Sequence, residues 1–352
     1  MLNEAPSRAK KIVRGRDIIL ATVHPNLRSF LFIKEPPVNT VASTKFAVLR
    51  AKENVGPYFI YYYTVTDRLF TGYLTNNTKW TSYPAVDTDT ILRGEIPDFD
   101  LLRQQRIASI LSVYDDLIEN NRRRIQLLEQ AAQQLYKEWF VHLRFPGHEH
   151  IKIKGGVPEG WERKKMADIC ETVGGGTPST KVSEYWGGDI TWVVPSDVTK
   201  NDCLVLLDSE RKITEKGLRE SSAKMVPAET ILMTSRASVG YFALMDIEVC
   251  TNQGFINIIP HEDDLCMYLL FNLMSRVTEI RSNAKGTTYP EISKGRFRQM
   301  EIVLPPRSII REFSRFSRDI IQQVRCLKRL IFQLKSARDL LLPRLMNGEL
   351  QA

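Results

Sequence analysis

Along one stretch of the chain, Ile107, Leu111, Tyr114, Ile118, Asn121, Ile125, Leu128, Ala132, Leu135 and Trp139 recur with strict four-three spacing. This heptad seam predicts a long helix whose narrow apolar stripe must be covered by a second helix. A shift of 206 residues lands on Phe313, Ser317, Ile320, Val324, Leu327, Ile331, Leu334, Arg338, Leu341 and Leu345, again mostly apolar and in the same register. Two helices of similar length, each lacking a cover, are each other's obvious partners, although such seams also close between chains as dimerisation or bundle helices. The polar positions Asn121, Ser317 and Arg338 are expected to fix register at a cost in stability.

The helix ends are also written in the sequence. Asp100 and Ser308, shortly after Pro97 and Pro306, are expected to cap the free backbone N–H groups of the first turns. Pro146 limits the first helix. Pro343 should kink or end the second near Leu342, with Asn347-Gly348 as a left-handed stop.

Outside the two seams the pattern is mixed α/β. Candidate strands are 190–194, 230–234, 239–244, 254–259 and 299–304, while 264–281 has helical periodicity. The chain also repeats itself. Ser82-Tyr83-Pro84 matches Thr288-Tyr289-Pro290 at the offset of 206, and Asp17-Ile18-Ile19-Leu20-Ala21-Thr22 resembles Glu229-Thr230-Ile231-Leu232-Met233-Thr234 at 212, a loop having changed length by six residues. The resulting organisation is a first globular part at 1–97, a helix at 98–145 and a Pro/Gly-flanked linker at 146–156. A second globular part at 157–307 and a second helix with a C-terminal tail at 308–352 complete it.

Composition narrows the class. With 352 residues and 43% hydrophobic side chains the chain can bury two cores. No apolar run is long enough to cross a bilayer and the first residues lack a signal-peptide pattern, so a cytoplasmic protein is expected. Cys170, Cys203, Cys250, Cys266 and Cys326 form no CxxC pair and read as reduced thiols. His148 and His150 lack the further ligands of a metal site, so no metal is expected. The net charge of +8 suits a nucleic-acid partner, but residues 157–310 carry 18 Lys+Arg against 21 Asp+Glu, so bulk charge alone identifies no DNA-binding domain.

Catalytic motifs are missing from the sequence. There is no Asn/Asp-Pro-Pro-aromatic stretch to hold a flipped base, no GxxxxGK[ST] loop, no nucleophile elbow and no HExxH helix. Val173-Gly174-Gly175-Gly176-Thr177-Pro178 is glycine-rich, but Pro178 and the polar run after it open no nucleotide-binding helix, so it reads as a surface loop and no cofactor is expected. Asp98 and the carboxylates beyond it fall at a helix start and read as a solvated face.

Three short stretches carry a family resemblance: Val157-Pro158-Glu159-Gly160-Trp161, Thr251-Asn252-Gln253-Gly254, and Leu340-Leu341-Leu342-Pro343-Arg344-Leu345-Met346-Asn347-Gly348-Glu349. Together with two α/β parts, each followed by a heptad helix, they resemble the specificity subunits of Type I restriction-modification systems. The resemblance implies two target-recognition domains, each reading one half of a split sequence in double-stranded DNA. It implies that the helices pair as an antiparallel coiled-coil spacer and dock two modification (methyltransferase) subunits, with a restriction (motor-nuclease) subunit joining for cleavage. It implies no catalytic site in this chain. A helix of about 40 residues spans about 60 Å, enough to separate two reading heads by a turn or more of duplex.

Against that family the first recognition domain reads as shortened by roughly 55 residues, the difference between the stretches that precede Asp17 and Glu229 in their repeats. A coiled-coil adapter that binds modification subunits without normal target selection therefore stands as the alternative. In the second domain, exposed loops carrying Ser, Thr, Lys, Arg and Tyr are the expected DNA contacts: Thr177, Ser179 and Lys181; Ser235, Arg236 and Ser238; Lys285, Thr287, Thr288 and Tyr289.

Overall fold

The computed structural model describes residues 9–65, 72–78, 84–286 and 288–352. They form two compact units, Met1–Asn120 with Ile331–Ala352, and Asn121–Leu330. In chain order the elements are β1 (Ala9–Ile12), β2 (Ile18–Ala21), β3 (Phe30–Phe32), β4 (Val41–Ser43), β5 (Phe46–Leu49), α1 (Pro57–Thr64), α2 (Thr88–Leu92) and α3 (Leu101–Tyr136). The chain goes on through β6 (Ile153–Lys154), β7 (Val157–Pro158), β8 (Glu162–Lys165), β9 (Cys170–Gly174), β10 (Trp186–Val193), α4 (Pro195–Thr199), β11 (Arg211–Ile213), α5 (Glu215–Arg219) and β12 (Met225–Val226). It ends with β13 (Ile231–Thr234), β14 (Phe242–Ala243), β15 (Val249–Thr251), β16 (Phe255–Pro260), α6 (Leu265–Ser275), α7 (Val277–Ser282), α8 (Lys294–Arg298), β17 (Glu301–Leu304) and α9 (Arg307–Met346).

In the first unit β2 is the centre of an antiparallel sheet ordered β3-β2-β5, and β1 pairs with β4. Leu20 and Ala47 from this sheet pack with Leu74, Val86 and Ile91. Asp17, just before β2, is fully buried. Burial pushes its carboxyl up, but two hydrogen bonds from the Arg50 guanidinium (2.7 and 2.6 Å) and one from the Arg14 N–H hold it below its ordinary value. Phe59, Tyr62 and Tyr63 of α1 pack with Ile107 and Leu111 of α3 and with Leu342, Leu345 and Met346 of α9. Asp115 of α3 accepts hydrogen bonds from Arg338 of α9 at 2.5 Å and from the Tyr62 hydroxyl at 2.8 Å. Gly348 lies beside Arg103, so rising positions on α3 meet falling positions beyond Arg338, an antiparallel order within this unit.

The second unit holds two four-stranded sheets, ordered β11-β10-β15-β12 and β14-β13-β16-β9, and the pair β17-β8. Val193, Val226, Leu232, Ala243, Val249 and Phe255 form a core drawn from both larger sheets, and Leu265 to Leu273 of α6 are buried throughout. Here α3 meets α9 through aromatic rings. Phe313 lies edge-on to Tyr136, at 5.9 Å, and Phe140, at 5.0 Å, while Trp139 meets Phe313 and Phe316 at 6.1 and 6.4 Å. The Tyr136 hydroxyl accepts a hydrogen bond from Asn272 of α6 at 2.8 Å. Polar straps reach the helices as well: Arg325 pairs with Glu229 at 2.6 Å, Lys328 donates to Asn201 at 2.9 Å, and Glu129 accepts the Leu204 N–H at 2.6 Å. Burial pushes the Glu129 carboxyl up to about 7.

The seam positions are buried or half-buried. Ile107, Leu111, Ile118, Asn121, Ile125 and Ala132 on α3, Trp139 in the π-helical turn that follows it, and Phe313, Ser317, Val324, Leu327, Ile331 and Leu345 on α9, are buried. Tyr114, Leu128, Leu135, Ile320, Leu334, Arg338 and Leu341 are half-buried. Of the polar seam positions, Arg338 reaches across to Asp115, whereas the Ser317 hydroxyl donates to Phe313 O of its own helix and sets no register.

Several boundaries differ from expectation. Asp100 caps α3 by accepting the Arg103 N–H at 2.8 Å, but α9 starts at Arg307, one residue before Ser308. Pro343 does not end α9: the helix runs to Met346 because its last turn is pinned by Leu342, Leu345 and Met346 in the first unit's core, which outweighs the backbone bond that proline cannot make. Gly348, with φ +78°, is the stop. In place of a strand over 239–244 the strand is Phe242–Ala243, with Leu244 in a bridge to Val205, since Gly240, at φ +82°, turns the chain. The helical stretch 264–281 breaks at Arg276 into α6 and α7.

Candidate nucleic-acid interface

Three polar loops of the second unit are fastened to one strand end. The first follows β9, the second joins β13 to β14, and the third joins α7 to α8; Thr251-Asn252-Gln253-Gly254, at the end of β15, lies among them. The Gly176 N–H donates to Thr251 O at 2.9 Å, the Thr177 hydroxyl bonds to Gln253 Oε1, and the Ser235 N–H donates to Gly254 O at 2.7 Å. Asn252 shapes this end by accepting the Gly254 N–H on its Oδ1 at 2.9 Å. The glycine run has a packing reason. A Cβ at Gly175 would lie 2.0 Å from Asn252 O, and one at Gly176 would lie 2.3 Å from Ser222 C, so side chains are shut out where the loop meets this strand end.

The second and third loops cross directly. Ser235 O accepts the Ile292 N–H at 3.0 Å, the Ala237 N–H donates to Pro290 O at 2.9 Å, and Lys285 and Glu291 exchange backbone bonds of 2.9 and 2.8 Å. Ala237 takes up a left-handed φ of +59° to make this crossing. The Arg236 guanidinium lies 3.8 Å from the Glu291 carboxylate, half exposed.

The ten expected contact residues are thus treated unequally. Ser179, Lys181, Arg236, Lys285, Thr288 and Tyr289 are exposed, Tyr289 at 67%, while Thr177 and Ser238 are half-buried. Ser235 departs from expectation: it is 3% exposed and serves the crossing through its backbone, so its hydroxyl cannot reach a duplex. Thr287 lies outside the described residues, as do Ser82 and Tyr83 of the repeated motif. The sequence missed Gln253 as the partner of Thr177, and also the Arg211 guanidinium stacked 3.7 Å from the Trp186 ring beside Ser179, whose carbonyl accepts the Trp186 indole N–H at 3.1 Å. No periodicity signals contacts between residues this far apart in the chain.

The first unit contains the same crossing. His24, left-handed at φ +53°, donates its N–H to Pro84 O at 2.8 Å; Val86 N–H donates to Thr22 O, and Thr22 N–H to Lys45 O, both at 2.9 Å. Each bond has its counterpart at Ala237–Pro290, Ile292–Ser235 and Ser235–Gly254. The helix after each crossing is capped alike, Asp87 accepting the Thr90 N–H at 2.7 Å and Ser293 the Arg296 N–H at 3.2 Å.

Among the described residues no cluster of three or more His, Cys, Asp or Glu is placed to hold a metal ion, and no helix is long and apolar enough to cross a membrane. His148 Nδ1 is engaged with Phe145 O at 2.8 Å.

Comparison with known proteins places this geometry. The MjaIX Type I restriction enzyme specificity subunit of Methanocaldococcus jannaschii is 42% identical over 153 residues, 43% of this chain and 35% of that subunit. The HindI specificity subunit of Haemophilus influenzae is 26% identical over 99% of this chain and 90% of its own length. The crystal structure of a Type I restriction-modification system S subunit from M. genitalium has a similar fold, with a TM-score of 0.59 at 15% identity over 96% of this chain and 84% of that one. The sequence profile described as the Type I restriction modification DNA specificity domain matches residues 3–130 and 158–333, one match for each half of the repeat. With most of its length matched, and matched twice, the chain belongs to the Type I restriction-modification DNA specificity family.

Proposed function

We propose that this chain is the DNA-reading specificity subunit of a Type I restriction-modification complex. It carries no catalytic site, and it directs methylation and cleavage by two modification (methyltransferase) subunits and a restriction (motor-nuclease) subunit at a bipartite target in the cytoplasm. The observation that carries this reading is the gathering of exposed Lys181, Arg236, Lys285, Thr288 and Tyr289 around one strand end in a chain of this family. The second and third loops are bonded to each other and the first to the strand end beside them, so the side chains start from fixed positions. Little ordering cost then remains on binding, and base-edge contacts from Arg and Tyr give sequence preference rather than affinity alone. The matching crossing at His24 and Pro84 supports a second reading edge for the other half of the target.

Within each unit α3 packs against α9, which supports the two helices acting as a spacer of antiparallel coiled-coil type. The test is a random duplex library presented to the chain together with its cognate modification subunits. A specificity subunit enriches a split sequence. Uniform recovery, with binding that falls smoothly with salt, would identify an adapter without target selection instead.

A further inference from the structure

Beside the reading loops lies a recess of about 530 Å³ whose walls include Gly174, Gly175, Ser222, Lys224 and Lys294. Lys294 lies across the end of β9, with its Nζ 3.1 Å from the point where a Cβ on Gly174 would sit, so the missing side chain is what lets the ammonium lean over the strand. Lys224 also lines the recess. Neither ammonium is paired with a carboxylate among the described residues, whereas Arg307, Arg311, Arg325, Lys328 and Arg329 on α9 each pair with one. Glu171 also borders the recess and forms an ion pair with neither lysine.

From this we infer that the recess seats one backbone phosphate of bound DNA. Two ammonium groups and the Ser222 hydroxyl on the border of one recess offer donors to a group that only accepts. The recess adjoins Gly175-Gly176, which lead to Thr177, and Lys294 follows Tyr289 by five residues, so a phosphate held here fixes the duplex relative to two reading loops. The inference rests on the proposed DNA-reading function and adds to it a contact that positions without reading sequence.

The test uses the chain assembled with its modification subunits and compares Lys224→Ala/Lys294→Ala with Lys224→Arg/Lys294→Arg. Affinity for a selected duplex and for an unrelated one is followed through a salt series. The alanine pair should lower the slope of log affinity against log salt by about 1, the value for one phosphate, and weaken both duplexes to a similar degree, roughly ten-fold or more, with the enriched sequence unchanged; the arginine pair should keep the wild-type slope. An unchanged slope in the alanine pair overturns the phosphate seat, and so does loss confined to the selected duplex. Inorganic phosphate at matched ionic strength should displace the duplex from the wild type more than chloride does, and not from the alanine pair; phosphate that binds the lysines without displacing the duplex would assign the recess to a free anion and overturn its place on DNA. If the wild type enriches no sequence while the slope still falls, the phosphate seat stands and the reading function fails.

Discussion

The two units build the same loop crossing from different sequences, and the difference between them separates what the fold requires from what is free to vary. His24 and Ala237 share a left-handed backbone and the same bond to a proline carbonyl, yet one carries an imidazole and the other follows Arg236. The crossing needs a backbone conformation and a capped helix behind it; it does not dictate the side chains displayed. Such an arrangement lets target preference change without refolding the domain. The seams differ too. In the first unit α3 and α9 meet through aliphatic residues and the buried-edge trio Tyr62, Asp115 and Arg338; in the second they meet through edge-on and tilted rings around Phe313.

The largest effect should come from breaking the aromatic seam. Phe313 is fully buried among four rings, so Phe313→Ala should cost about 3–5 kcal/mol, against about 2–5 kcal/mol for the equally buried Leu111→Ala in the first unit. Denaturant unfolding followed by tryptophan fluorescence should show the Phe313 variant losing the second unit first. A uniform shift of the whole transition in both variants would deny that the two seams are separate supports.

A smaller effect, present in the second unit, depends on pH. Glu129 has an ordinary carboxyl value when unfolded but titrates near 7 when folded, because burial and Asp202 oppose its charge while the Leu204 N–H and Lys328 favour it. The folded state therefore holds this proton more tightly, and stability is full below the unfolded value and falls as pH rises through 7. Glu129→Gln keeps an acceptor for Leu204 and removes the charge. It should be the more stable protein at pH 8, by about 2 kcal/mol, with the advantage gone near pH 4. Equal stability at both pH values would show that Glu129 is not buried as described.

Smallest are the caps behind the crossings. Asp87→Ala and Ser293→Ala should each cost about 1 kcal/mol, and about equally if the two crossings are built alike. Thermal unfolding of the single variants is sufficient to compare them.

Much of this was legible in the chain itself. The heptad positions marked one face of each helix because burial on a helix repeats with the spacing of its residues, and the offset of 206 linked α3 to α9. The short strands β8, β9, β11, β12 and β15 went unread, since strands of two to five residues carry too few alternations to signal themselves and pair with distant partners, Glu162 with Leu304 and Cys250 with Trp192. Pro343 misled because its local penalty is overridden by packing that no local rule contains. At the candidate interface, residue type marked largely exposed loops but not the direction of each side chain, and so Ser235 was grouped with its exposed neighbours.

The most direct measurement is to map the sites methylated on bulk DNA by the assembled complex, first with the wild-type chain and then with Arg236→Ala/Tyr289→Ala. Relaxed or altered bases in one half of the split target, with the other half kept, is the outcome expected of side chains hung on one crossing. A target unchanged in both halves would contradict it.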